Sequence, residues 1–425
     1  MSKEYTEVIF RSSSEIKKHV CAIFFPALLS VQVGSTQAQM APLDDSQLGE
    51  FYGQAYIAID RTNHPEQTNV AYTRINLGMD VEIMSNADVM ELGRYEREGE
   101  KAGSSDILIE NFGLGYIHTK KYFDDQPYIP QVLKADGSEY AENEMVPFQI
   151  KNPFVEFAYD EDTHEMIGVR IGFGDTLGIL SGNIKTLTGA IDVDIRDSGE
   201  GIREAQVNKD ATVMEQLLMA LTPILVADGG VTAQAKLLDA DGNEDAVRAE
   251  RVGVPNGTIF TVDGADSLAA NLTKTSSDLG WINNPVTIEK MHDANGNVVK
   301  GCGLFKGECY AINIEAKDCL LLGAAACFDL TDYQAMPVGV VEEVNGKKVM
   351  KEAISGLFMS FQTRDTPWST TKNANDAVSA ADFVQSTAGA FFNIPNGTVE
   401  MNLGQVYNGV PGIRKEYIDR GVGLF

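Results

Sequence analysis

The sequence has no long apolar run and little positive charge. No stretch approaches the ~18 apolar residues that a membrane-spanning helix needs, so we predict no such helix. The chain has only 34 Lys and Arg residues but 61 Asp and Glu residues, which gives a net charge of −27. Such a chain repels polyanions, so we exclude nucleic acid and anionic lipid headgroups as partners.

The sequence also lacks a recognisable catalytic set. Histidine is rare, and the four histidines beyond residue 38 are isolated, with no H-E-x-x-H spacing: His64, His118, His164 and His292. We expect these side chains at the surface or in turns. The G-x-S-x-G motif of serine hydrolases is absent. We therefore predict no catalytic residues, no cofactor site and no resident metal, and we expect that the protein is not an enzyme.

Residues 1–38 have the pattern of an export signal. A positive segment at 17–19 precedes an apolar run at 20–31, which is too short to cross a bilayer. Small residues follow, so we predict cleavage after Ala38, with Ala41 as the second choice. The alternative is a buried N-terminal helix. The signal predicts an exported protein.

Cysteine usage agrees with export. Cys21 belongs to the predicted signal, and the other four lie within 26 residues: Cys302, Cys309, Cys319 and Cys327. In an oxidising compartment this cluster predicts two disulfides. Three pairings are possible, and we favour Cys302–Cys309 with Cys319–Cys327, since each closes a short loop. Zinc is a weaker alternative, because its ligand pairs are spaced C-x2-4-C and these gaps are longer.

The dominant hydrophobic period is two residues, which predicts half-buried strands. From residue 72 to 83 the apolar side chains alternate with polar ones, so that Ile75 and Leu77 would face the core and Arg74 the solvent. Similar runs occur at 107–117, 153–159, 166–173 and 177–195. We therefore predict a mainly β fold, either a curled antiparallel sheet or sandwich, or an irregular β-solenoid.

Turn signals support hairpins. The form A-[DN]-G-[NS] occurs at 135–138, 240–243 and 294–297, and Asn345-Gly346 is a fourth turn signal. Asp-Gly and Asn-Gly tolerate the positive φ that type I′ turns require, so we predict such turns here.

Two segments favour short helices packed on the sheets. Residues 211–221 have apolar side chains at helical spacing, and we predict that Pro223 ends this helix. A second helix is predicted at 377–385, with Asp376 as its cap. The predicted organisation is a signal peptide at 1–38, an N-terminal motif segment at 39–70, a Gly-punctuated β region at 71–196, a loop with a short helix at 197–228, and a second β-rich region with the cysteine cluster at 229–425.

One acidic loop is a candidate calcium site. Asp239, Asp241, Asn243 and Asp245 alternate along the chain, as oxygen ligands do in some calcium loops. The EF-hand pattern fits only in part, since Gly242 stands at position four instead of six. A solvated hairpin tip explains the same residues without a metal.

A short motif follows the predicted cleavage site. It has the form P-L-D-D-x-x-L-x-x-x-x-G-Q and consists of Pro42, Leu43, Asp44, Asp45, Leu48, Gly53 and Gln54. This motif resembles the Fil-type pilus-assembly proteins of Gram-negative bacteria, in which a β-rich, Gly-punctuated body follows. The resemblance implies a role in a surface structure.

These observations predict an exported structural or assembly component of a bacterial surface fibre or cell envelope. We expect it at the cell surface, outer membrane-associated or extracellular, with other envelope or pilus proteins as partners that bind through strand edges. The alternative is a secreted adhesin or a calcium-dependent ligand-binding module.

Overall fold

The protein is mainly β. The computed structural model describes residues 57–197, 211–225, 230–303 and 306–416, together with the backbone of 7–10. The first strands are β1 Glu7–Phe10, β2 Ile57–Asn63, β3 Val70–Leu77, β4 Asp80–Arg94, β5 Ser105–Leu114, β6 Tyr116–Ile117, β7 Gln131–Val132, β8 Met145–Val146, β9 Phe148–Lys151, β10 Phe154–Asp160, β11 Met166–Gly172, β12 Asp175–Leu187 and β13 Gly189–Asp197. The middle strands are β14 Val231–Leu238, β15 Arg251–Gly253, β16 Ile259–Ala265, β17 Val286–Lys290, β18 Lys300–Cys302, β19 Gly307–Glu308, β20 Tyr310–Glu315, β21 Leu320–Leu321, β22 Ala324–Ala325 and β23 Cys327–Asp329. The last are β24 Ala335–Val338, β25 Val340–Val344, β26 Lys347–Glu352, β27 Ile354–Ser355, β28 Phe358–Gln362, β29 Thr366–Ser369, β30 Phe383–Ser386 and β31 Gly389–Met401.

Short helices interrupt the strands in the described ranges. The α-helices are α1 Lys120–Asp125, α2 Val213–Leu225, α3 Ser267–Asp278 and α4 Leu403–Asn408. Single 3₁₀ turns lie at Leu330–Asp332, Ala374–Asp376 and Ala380–Asp382. None of the helices in these ranges has the length and apolarity to cross a bilayer.

The first large sheet has the order β1-β4-β5-β12-β24, with β9 bridging β4 and β12 and with β27 beside β12. Its longest strand is β4, whose first residues pair with β9 and whose remainder pairs with β5. On its other side, β4 pairs only with β1, at Val81–Met84, among the described residues. Beyond Met84, strand β4 is therefore one edge of this sheet among the described residues.

The second large sheet has the order β17-β20-β16-β14-β13-β31-β28-β11-β10-β3-β2, and β15 and β23 branch from β14. It combines strands from both predicted β regions, since β13 lies between β14 and β31. Its strand pairs are antiparallel except β13–β31, which is parallel. A separate three-stranded sheet, β25-β26-β7, contains the parallel pair β26–β7. The antiparallel-sheet prediction, and not the solenoid, describes this arrangement.

One large hydrophobic core joins the two sheets. It includes Ile107 and Ile184 from the first sheet and Ile191, Val193 and Ile312 from the second. A smaller core lies under the β29–β30 hairpin, around the fully buried Trp368. Apolar burial at roughly 25 cal/mol per Å² makes these clusters the main stabilising term of the fold.

The predicted strand from 72 to 83 is two strands in the structure, because the chain breaks between β3 and β4. The predicted facing of β3 is also wrong. Arg74 is only 1% exposed and lies in the sheet interior, whereas Ile75 is partly exposed. The reason is an ion pair with Glu156 on the neighbouring strand β10, which satisfies the buried guanidinium.

The turn prediction is confirmed in position and partly wrong in type. In the three A-[DN]-G-[NS] turns, only the glycine has positive φ: Gly137 at +84°, Gly242 at +85° and Gly296 at +80°. In each turn the glycine N–H donates to the carbonyl three residues earlier, the pattern of a type I turn followed by a left-handed glycine. Asn345 and Gly346 both have positive φ, so this turn between β25 and β26 has the predicted type I′ form.

The first predicted helix is confirmed as α2, but it continues two residues past Pro223. Thr212 and Glu215 cap its start by exchanging hydrogen bonds between side chain and backbone. The second predicted helix, 377–385, is wrong. Asp382 there accepts bonds from Ser379 and closes only a single 3₁₀ turn, after which Phe383 begins β30.

Candidate functional site

The four clustered cysteines form the two disulfides that the sequence favours. Cys302 bonds to Cys309 across the β18–β19 hairpin, and Cys319 bonds to Cys327 around the β21–β22 hairpin. Each closes a short loop that is already hydrogen-bonded as a hairpin. These cysteines therefore act as local cross-links of the second β-rich region.

The candidate calcium loop satisfies its own polar groups. Asp239 accepts hydrogen bonds from the backbone N–H groups of Asp241 and Asn243, and the Asn243 amide donates to the same carboxylate. Asp245 instead accepts from the Val247 backbone. The described part of the chain holds no group of three or more His, Cys, Asp or Glu side chains placed around one point.

The histidines divide into two kinds. His164 lies in a turn with a φ of +59°, and His292 is exposed, as predicted. His64 is buried but lies in the turn between β2 and β3, as predicted, whereas His118 is buried outside any turn, which corrects the prediction for that residue. The Nδ1 atom of His64 accepts backbone N–H bonds from Glu66 and Gln67, and burial lowers the pKa of its imidazole. These contacts are structural.

Two predicted features fall largely outside the described residues. The motif residues Pro42, Leu43, Asp44, Asp45, Leu48, Gly53 and Gln54 lie outside them. So does the predicted signal at 1–38, except for β1, which pairs antiparallel with β4. Among the described residues, no other predicted site residue lies on β4.

The outer edge of β4 is the most distinctive surface among the described residues. We use this name for its backbone groups on the side away from β5 and β9. β4 is 15 residues long, and from Ser85 to Leu92 no described strand pairs with this edge. Unpaired N–H and C=O groups on an edge form a template for another strand. The sequence analysis did not identify this edge, because the strand that it predicted from the alternating apolar residues ended at Ile83, whereas β4 continues to Arg94.

The side chains of β4 give the edge a defined chemistry. Asp80, Glu82, Asp88 and Glu91 outnumber the single Arg94 on this strand. Glu91 accepts bonds from the Ser105 hydroxyl and from Arg94, and these bonds lower the pKa of its carboxyl, with Ser105 as the larger cause. The edge is therefore acidic. Val89 is an apolar exception, with 52% of its surface exposed.

The fold and this edge define a mainly β protein with two local disulfides and a long, acidic edge strand. Comparison of the chain with models of known protein families, with curated proteins and with solved structures finds no match.

Proposed function

We propose that this protein is an exported structural or assembly component of a bacterial surface fibre or cell envelope, which binds other envelope or pilus proteins by strand addition. It has no catalytic role in this proposal. The outer edge of β4 carries the proposal, because a segment remote in sequence, β1, already adds to it as an antiparallel strand.

Signal cleavage during export would uncover part of the outer edge of β4. β1 lies within the predicted signal at 1–38, so cleavage after Ala38 removes the strand that covers Val81–Met84. Within the described residues, the mature protein then presents β4 as an edge that no strand covers from Val81 to Leu92. The two disulfides and the resemblance of the segment at 42–54 to Fil-type proteins support the same location.

The acidic side chains of β4 favour one kind of partner. A strand that carries Lys or Arg gains cross-strand ion pairs with Asp80, Glu82 or Asp88, whereas an acidic strand is repelled. A second copy of this chain has a net charge of −27 and meets the same repulsion at long range. We therefore expect a different, more basic envelope protein at this edge.

The test combines gene deletion with a single substitution on β4. Deletion should reduce the number of surface fibres seen by electron microscopy, and the wild-type gene should restore them. Val89→Lys places a positive charge at the exposed apolar position of the edge, where it repels the basic strand expected there, and should fail to restore fibres. Val378→Lys is the matched control, since Val378 is 75% exposed in a loop outside β4.

Immunoblots of the cell-surface fraction must show equal amounts of both variants. Unchanged fibres after deletion would contradict the proposed function. Full restoration by Val89→Lys would be consistent with a fibre role but would exclude the outer edge of β4 as the contact.

A further inference from the structure

A groove rich in amide side chains opens where several strands of both sheets end. It has a volume of about 300 Å³, at the small end of the range for ligand sites. Its polar walls are formed by Asp60, Asn76, Asn152, Asp175 and Asn375, and Phe154 supplies an apolar surface. We call this feature the polar groove. These residues come from five separate parts of the chain.

The polar groove rests on a buried ionic cluster. Glu156 accepts a bond from Arg74 at 2.8 Å and another from Arg170 at 2.5 Å, and all three side chains are at most 2% exposed. The Arg74 guanidinium lies 4.1 Å from the centre of the Phe154 ring and donates to the Lys372 carbonyl. The cluster therefore fixes Phe154 and the loop that begins at Lys372, which are two walls of the groove.

The backbone of one wall adopts an uncommon conformation. Asn152 has a φ of +52°, in the left-handed region that few side chains occupy. Gly174, at +61°, lies opposite, and a Cβ there would fall 1.9 Å from the Lys151 carbonyl oxygen. The close approach of the two backbones holds the Asn152 side chain in the groove.

The charges of the polar groove cancel. Two carboxylates, Asp60 and Asp175, face two ammonium groups, Lys151 and Lys372, and the Lys372 ammonium bonds to Asp175 at 2.6 Å. A ligand with a net charge gains little from such a balanced site. The overall charge of −27 further disfavours an anionic ligand. The favoured ligand is therefore neutral.

The groove still offers unused hydrogen-bonding capacity. Asn152 and Asn375 are exposed and make no side-chain hydrogen bond within the described residues. An amide side chain both donates and accepts, as a sugar hydroxyl does. Asp60 accepts from the Asn76 amide at 2.6 Å, so this pair is oriented before any ligand arrives. Phe154 offers apolar surface for the C–H groups of a sugar ring.

We propose that the polar groove binds a neutral saccharide, with Asn152 and Asn375 as its principal hydrogen-bonding residues and Phe154 as the apolar contact. Such a site would give the protein a carbohydrate-binding activity in addition to its assembly role.

The test uses the purified exported protein and a panel of neutral oligosaccharides: maltose, cellobiose, lactose and N,N′-diacetylchitobiose. Sialyllactose serves as the acidic comparison. Titration calorimetry should detect at least one neutral saccharide with a dissociation constant below about 10 mM. Asn152→Gly removes the amide but keeps the left-handed backbone, and Asn375→Ala removes the second amide. Each should weaken binding by roughly tenfold.

The matched control is Asn345→Gly. Asn345 also has positive φ, at +54°, but it lies in the β25–β26 turn and does not line the polar groove. This variant should bind the saccharide as the wild type does. Three outcomes would overturn the inference: no neutral saccharide binds, sialyllactose alone binds, or the two groove variants bind as tightly as the control.

Discussion

At the scale of single residues, the least expected feature is the buried cluster of Arg74, Glu156 and Arg170. It carries one negative and two positive charges, and the Nη2 atoms of both arginines have no partner among the described residues. Aromatic rings partly compensate, since the Arg170 guanidinium also contacts Phe358. Burial lowers the pKa of Arg170, which Glu156 opposes. The single carboxylate therefore compensates two buried cations.

We predict that Glu156→Gln destabilises the protein by about 3 kcal/mol, because it leaves two buried guanidinium groups without a counter-charge. Urea denaturation measures this change as a fall in the free energy of unfolding. Glu161→Gln is the matched control. Glu161 pairs with the exposed Arg61, and such surface pairs contribute less than about 1 kcal/mol. Equal stability of the two variants would contradict this account of the cluster.

His64 predicts a pH dependence of stability. Burial lowers the pKa of this imidazole, and Glu66 opposes the shift in part. Below the unfolded pKa of about 6.5, the unfolded state therefore binds more protons than the folded state. The contribution of His64 is complete above about pH 6.5 and is lost as the pH falls below that value toward the folded pKa.

We expect the free energy of unfolding to decrease between about pH 7 and pH 5, and this slope to be smaller in His64→Asn. An asparagine oxygen can accept the same two backbone N–H bonds that Nδ1 accepts, so the turn is kept. His118, whose pKa burial also lowers, supplies part of the remaining slope. Gln67→Asn, which changes an exposed side chain of the same turn and no titratable group, should leave the slope unchanged. An equal effect of both substitutions would contradict the assignment.

At the scale of elements, the three similar turns allow a matched experiment. Gly137 and Gly242 have nearly the same φ, +84° and +85°. A Cβ added at Gly137 would have no neighbouring atom within 4 Å, whereas a Cβ added at Gly242 would lie 2.8 Å from the Cys319 sulfur. We predict that Gly137→Ala costs about 1–2 kcal/mol, the cost of a left-handed side chain. Gly242→Ala should cost more, because overpacking adds to the same backbone term.

The comparison is made by urea denaturation of each variant. In the Cys319→Ala, Cys327→Ala background the sulfur is gone, so the two glycine substitutions should cost nearly the same. A difference that persists there would show that Cys319 is not its source.

The helices show which elements the local sequence pattern predicts and which it misses. The pattern of large apolar residues predicts α2, but it misses α3, whose buried side chains are small or polar: Ala269, Ala270, Thr273 and Ser276. Asp266 caps α3 by accepting a hydrogen bond from the Ala269 backbone N–H, and the sequence analysis did not identify this cap. The predicted cap at Asp376 misleads, because pairing of β30 with β29 outweighs the local preference for a helix.

The same limit applies to the candidate sites. The disulfide pairing follows from short loops and could be predicted, whereas the inward direction of Arg74 depends on Glu156, 82 residues away. The polar groove brings Asp60, Asn152 and Asn375 together only through the order of strands in the sheets. Its residues share no spacing along the chain, so no motif could reveal it.

At the scale of the whole molecule, the two predicted β regions share their sheets and their main core. β13 has both of its neighbours, β14 and β31, in the later region. Asp106 of β5 makes a further connection, since it bonds to the buried Arg248 at 3.0 Å and accepts from the Ala390 backbone of β31. The earlier region therefore relies on the later one for both hydrogen bonds and apolar contacts.

We predict that residues 57–197 do not fold when expressed alone. Without the later region, β11 lacks its partner β28, β12 lacks β24, and β13 lacks both neighbours. The core side chains Ile191 and Val193 would then face water, and each loses about 1.5–3 kcal/mol of burial. Trp368 lies in the smaller core under the β29–β30 hairpin, so its fluorescence reports the loss of tertiary packing there. In the full chain, this fluorescence and far-UV circular dichroism should therefore show one coincident unfolding transition. A cooperative transition of the isolated fragment, or two separate transitions of the full chain, would instead mean that the regions are independent domains.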